Sequence, residues 1–133
     1  MFLDRLLNQG SAPVLERLLD FTAQRHRLIA DNVANISTPG YRQKDLSLDA
    51  FQGMLRDRIE QRDDAAPGSV GFDDIDSEVR EAEHGVLFHD GQTRSMEQLM
   101  TDQAKNALMH NLAIELLRKQ FQAMELALKD KPF

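Results

Sequence analysis

The architecture turns on residues 96–129, MEQLMTDQAKNALMHNLAIELLRKQFQAMELALK. Met100, Gln103, Ala107, His110, Ile114, Leu117, Phe121, Met124 and Leu128 recur there at alternating steps of three and four. That spacing averages 3.5 residues, the seam of a helix that supercoils on a partner, and its last five positions are all apolar. Ser95, three residues before Gln98, is a capping-box pattern that places the start, and Asp130-Lys131-Pro132 ends the run. At 1.5 Å per residue such a helix is roughly 50 Å long. A chain of 133 residues cannot wrap a compact core around it, so a coiled coil is expected.

A partner helix is present at the other end. Residues 11–35 open with Ser11 as a candidate N-cap and carry Pro13 in the first turn, where a missing N–H costs nothing. Leu15, Leu18, Leu19, Ile29, Val33 and Ile36 follow a helical stripe, with Thr22 and His26 making its middle polar. Val14, Phe21 and Leu28 fall off the stripe, which implies more than one packing partner.

Between the two helices the pattern weakens. Leu48, Phe51, Leu55 and Ile59 have helical spacing interrupted by Gly53, which predicts a short, marginal helix. RDDAAPGSVGFDDIDSE, residues 62–78, reads as a linker by composition. Val86, Leu87 and Phe88, followed by Asp90-Gly91, predict at most a short hairpin. The expected division is an N-terminal helix and turn over 1–41, a variable acidic middle over 42–94, and a C-terminal coiled-coil helix over 95–133. The expected fold is mainly α, with a largely irregular, partly disordered middle.

Composition narrows the function. The net charge is −6, and residues 57–90 alone carry eleven acidic and three basic side chains, leaving the rest slightly basic. No basic face is available to displace counterions from a nucleic acid. There is no Cys, so neither disulfides nor thiolate chemistry are possible. Asp4 and Arg5 interrupt the apolar start where a secretory signal would need an unbroken run, and no segment reaches the length of a membrane span.

Catalytic and metal chemistry lack a foothold. His84 and His89, beside Glu83 and Asp90, are five residues apart and share no helical face. Asp63-Asp64 and Asp73-Asp74 lie in a solvated, Gly- and Pro-containing run rather than a shaped pocket. DDIDSEVREAEHG lacks the glycine and ligand alternation of an EF-hand, and no phosphate-binding loop is present. No catalytic, cofactor-binding or metal-ligating residue is expected, and the protein is read as no enzyme. The methionines are core filler, and His110 is expected to pair with a polar group across an interface.

The remaining signal is the corner after the first helix, NVANISTPGY, residues 32–41. Asn32 or Asn35 can end a helix in the left-handed conformation, and Ala34 is small enough for close packing at a turn. Thr38 before proline is extended, Pro39 presets φ, and Gly40 supplies positive φ in a type II turn closed by Tyr41. This string resembles the signature N-[IVL]-A-N-x-x-T-P-G-[YF] found at the end of the first helix in bacterial flagellar rod, hook and hook-associated proteins. TPGYRQKDL and HDGQTRSMEQLM, together with the short length, are most similar to the proximal members of the basal-body rod family. Asp90, Gly91, Met96 and Glu97 match that pattern, whereas Asp31, Gln92, Arg94, Ser95 and Leu99 depart from it.

The resemblance implies a structural subunit of the proximal rod that polymerises through its terminal helices, transmits torque and forms part of the export channel wall. It implies that these helices pair as an antiparallel coiled coil, with Leu15, Leu18, Ile29 and Val33 against Ile114, Leu117, Phe121, Met124 and Leu128. Asn32, Ala34, Asn35, Thr38, Pro39, Gly40 and Tyr41 would form the assembly turn. The partners implied are further copies of the chain, rod proteins of the FlgC, FlgF and FlgG kind, the membrane-ring adaptor FliE and the flagellar type III export apparatus. The place implied is the periplasmic rod of the basal body, reached without cleavage of a signal peptide and without membrane insertion. The competing expectation is a cytosolic helical adaptor or export chaperone of the same secretion system, using the same apolar seam.

Overall fold

The computed structural model describes residues 10–75, 79–81 and 92–130. Among them are three helices, α1 (Ala12–Ala34), α2 (Leu48–Asp63) and α3 (Gln92–Lys129), and two short strands, β1 (Lys44–Leu46) and β2 (Val79–Glu81). The strands pair antiparallel, with Lys44 opposite Glu81 and Leu46 opposite Val79. The hairpin expected around residues 86–91 lies outside the described residues, as do His84 and His89.

α1 carries two apolar faces, as its off-stripe residues implied. Phe21 enters a cluster with Leu46, Phe51, Leu55, Phe72 and Ile75, and Val14, Leu18 and Leu28 pack against it. The Phe21 and Phe51 rings stack 4.3 Å apart at 15°. Leu18, expected toward α3, therefore belongs to the α2 side. Leu15, Thr22 and Ile29 are also buried.

Within the middle, residues 48–75 are more ordered than their composition suggested. α2 runs through Gly53 for 16 residues and is capped by Ser47, whose hydroxyl accepts the Ala50 N–H at 3.2 Å. Asp49 in the first turn and Arg62 in the last both suit the helix dipole. The described part of the segment read as a linker, up to residue 75, folds back because two of its apolar residues are buried and two arginines hold it. Phe72 and Ile75 are buried. Arg58 donates to Gly71 O at 2.6 Å and forks onto Asp74 at 2.5 and 2.9 Å. The Arg62 guanidinium lies 5.6 Å above the Phe72 ring and also donates to Gly10 O. Low mean hydropathy hid a few apolar residues spaced to meet one helix face.

α3 is 38 residues long, about 57 Å at the standard rise. It begins at Gln92, so Ser95 lies inside the helix rather than at its cap. Ser11 sits at the N-cap of α1 but makes no capping bond. Its hydroxyl donates instead to Gln120 Oε1 at 2.7 Å. Further along α1, Thr22 meets both His110 and Asn106. These bonds tie the start of α1 to residue 120 of α3 and its middle to residues 106 and 110. No described helix is long and apolar enough to cross a membrane.

Candidate functional site

Two features stand out from the packed core: the corner after α1 and the outer surface of α3. The corner is built around Asn32, in the last turn of α1 and 2% exposed. Its Nδ2 donates to Lys44 O at 2.7 Å, and its Oδ1 accepts the Lys44 N–H at 3.0 Å. A peptide group of a neighbouring strand would make that same pair of bonds. The N–H and C=O of one residue point to one edge of a strand, so Asn32 covers the edge of β1 that β2 leaves free. Tyr41 Oη adds a third bond, donating to Asn32 Oδ1 at 3.1 Å.

Asn35 holds the next layer. Its Nδ2 donates to Asp31 O at 2.9 Å, and its Oδ1 accepts the Thr38 hydroxyl at 3.3 Å. Its carbonyl takes the Thr38 N–H at 2.9 Å. Neither asparagine is left-handed; among the described residues only Gly10, Gly40 and Gly68 have positive φ. The expected αL helix stop is absent: backbone bonds from Asn35 N–H to Asp31 O and from Ile36 N–H to Val33 O end the helix, and the asparagine side chains tie that end to the chain that follows. Pro39 and Gly40 form the expected turn, with Gly40 at φ 77° and Tyr41 N–H donating to Thr38 O at 3.2 Å. Ala34 and the tip from Ser37 to Gly40 are exposed.

Arg25 anchors the returning chain one face earlier. Its Nε and Nη2 meet the two carboxylate oxygens of Asp45 at 3.0 and 3.2 Å, and Asp45 Oδ1 also accepts the Leu46 N–H at 2.8 Å. This bidentate pair is a helix-to-strand tie that local patterning could not reveal, because its partners are twenty residues apart. The corner is therefore a bracket in which the Thr38 and Tyr41 hydroxyls donate to Asn35 and Asn32. Asp63, Asp64 and Asp73 are exposed, and Asp74 is engaged by Arg58.

The outer surface of α3 has the opposite character. Seven of the eight large exposed apolar residues found among the described residues lie on it: Met100, Leu108, Leu112, Leu116, Phe121, Leu126 and Leu128. Leu108 and Leu112, one turn apart, are 71% and 60% exposed. Beside them, an open apolar groove of about 380 Å³ runs between Leu19 of α1 and Ile114, Leu117 and Phe121 of α3, edged by Arg118, Gln122 and Glu125. Met124 is half-buried and Leu128 exposed, both beyond Gln120, which accepts the Ser11 hydroxyl. Ile29 is buried and Val33 half-buried.

No protein-family model matches the chain. A curated relative, the flagellar basal body rod protein FlgB of Bacillus subtilis (strain 168), is 28% identical over 127 residues, covering 92% of this chain and 95% of the relative. The alignment spans corner, middle and last helix together. Over nearly its whole length, then, this chain is similar to a flagellar basal-body rod protein, the same family that the corner at residues 32–41 resembles.

Proposed function

We propose that this chain is a structural subunit of the bacterial flagellar basal-body rod, of the proximal-rod type. The observation that carries the reading is the concentration of exposed apolar side chains on α3, on a chain similar to a rod protein. Apolar surface along a single long helix is what a subunit leaves open when neighbours complete its burial. α1 and α3 pair as the coiled-coil part of the subunit, and Leu108, Leu112, Leu116 and Leu126 meet adjoining subunits of the rod. Phe121, Met124 and Leu128, at the end of α3, belong to the same assembly seam. The bracket at Asn32, Asn35, Thr38, Pro39, Gly40 and Tyr41, with Ala34 on its outer side, fixes the angle at which the chain leaves that wall. The polymer transmits torque and lines part of the export channel. Its partners are other rod proteins, the membrane-ring adaptor and the export apparatus.

The role is polymerisation, and it requires no reaction. Purified basal bodies, fractionated and examined by mass spectrometry, are expected to contain the chain in the rod fraction. The doubly substituted Leu108→Asp, Leu112→Asp chain is expected to be expressed, helical and absent from that fraction. Recovery of the native chain only from the soluble cytosol would overturn the rod reading in favour of an adaptor.

A further inference from the structure

α3 does not present to α1 the face that apolar burial alone selects. At Met100, Ala107, Ile114 and Phe121 of its 3.5-residue seam the side chains turned inward are those one residue earlier, Leu99, Asn106, Ala113 and Gln120, while Gln103, His110, Leu117 and Met124 of the seam stay half-buried. Leu99, Asn106 and Ala113 are 5%, 1% and 1% exposed, whereas Met100 and Phe121 are both more than two-fifths exposed. The helix is thus rotated by roughly half a residue step, about 50°, away from its most apolar setting.

Polar contacts favour the observed setting. Asn106 Nδ2 donates to the main-chain carbonyl of Thr22 at 2.8 Å. The Thr22 hydroxyl lies 3.0 Å from Leu19 O, to which it donates, and 2.7 Å from His110 Nδ1. When its one proton is directed to Leu19, the hydroxyl accepts from the Nδ1–H form of the His110 ring; in the other tautomer it donates to Nδ1 instead. Two consecutive turns of α3 therefore converge on one fully buried residue of α1. A half-step rotation toward the seam would carry Asn106 off the Thr22 carbonyl and leave that amide without its acceptor, whereas His110, on the seam itself, stays beside α1 and adds to the hold through Thr22. Asn106 Oδ1 is buried with no partner, so this residue secures geometry at the expense of stability.

We propose that Thr22, Asn106 and His110 form a polar lock that sets the rotation of α3 on α1 and keeps the Met100–Phe121 edge turned outward. The lock rests only on contacts within the chain, so it stands or falls independently of the rod reading.

The chain has no cysteine, so single engineered thiols report on the two edges. Ala113→Cys lies on the inward edge and Ala107→Cys on the outward one. In the otherwise native full-length chain, a maleimide is expected to label the residue-107 thiol about tenfold or more faster than that at 113. Adding Asn106→Leu is expected to collapse or invert that ratio while leaving the unfolding midpoint unchanged or higher. His110→Leu, which spares the Asn106 bond, is expected to move the ratio the same way by a smaller factor and serves if Asn106→Leu fails to fold. A ratio unchanged in the folded variants would overturn the lock, as would a lowered midpoint with the ratio intact.

Discussion

α1 is covered on two sides by different means. Toward α2 it meets a complete small core, in which Phe21 stacks on Phe51 and Leu55, Phe72 and Ile75 close the remaining space. That core is bounded by Arg25–Asp45, Arg58–Asp74 and the Asn32 bracket, which use up the polar groups around it. Toward α3 the contact is a line rather than a core. Polar residues occupy the middle of that line, and α3 keeps leucines on its far side. Among the described residues the α2 side is closed, and the α3 side leaves leucines exposed. A 38-residue helix offers far more apolar perimeter than one 23-residue partner can cover.

Substitutions can break this contrast. Phe51→Ala should cost about 3–5 kcal/mol in denaturant unfolding, because it opens a cavity in a closed cluster. Leu112→Asp on α3 should stay within about 0.5 kcal/mol of the native chain, since its site is already wet. Equal losses in the two variants would mean that the outer face of α3 is covered in the isolated protein.

The bracket comes next in size. Asn32→Ala strands the Lys44 N–H and C=O and should lower stability by about 3 kcal/mol, read from the same unfolding curves. Asn32→Asp should not rescue it, because a carboxylate has no N–H to give the Lys44 carbonyl.

The two glycines sharpen the comparison by opposite signs. Gly40→Ala should lose about 1–2 kcal/mol, since φ 77° disfavours any side chain even in open space. Gly53→Ala should gain about 0.5–1 kcal/mol in thermal stability, because a Cβ there meets nothing within 4 Å and α2 is already helical.

The smallest effect is electrostatic and surface-bound. The Arg58 guanidinium, donating to Asp74, holds that carboxyl below the usual carboxylate range. A depressed folded-state pKa means the pair contributes above the ordinary carboxylate range and loses its contribution as pH falls through the depressed value. NMR titration of Asp74 should therefore give a midpoint below that of a free aspartate, and Arg58→Gln should restore the ordinary one.

Much of this is legible in one chain, for identifiable reasons. The helical run at residues 96–129 and the second face of α1 at Val14, Phe21 and Leu28 come from periodicity alone. The Pro39-Gly40 turn comes from two residues whose φ preferences are intrinsic. The asparagines are legible as a helix stop but not as a bracket. Their partners at Lys44 and Tyr41 become neighbours only after the chain has turned. α2 is firmer than its local pattern for a similar reason. Gly53 lowers its intrinsic propensity, while the burial of Phe51 and Leu55 that outweighs it comes from Phe21, thirty residues earlier. In the acidic loop, composition speaks for solvent, and the placement of Phe72 and Ile75 overrules it.

By itself the sequence determined a long last helix, a long first helix with two apolar faces, and a stiff turn where the first helix ends. Those are local properties, set by spacing and by the conformational limits of Pro and Gly. Only the tertiary structure decided which edge of α3 faces α1. Rotation about a helix axis exchanges one apolar stripe for another at modest cost, whereas a buried amide must find its acceptor. Asn106 finds the Thr22 carbonyl in one setting, and in that setting Met100 and Phe121 are left largely exposed.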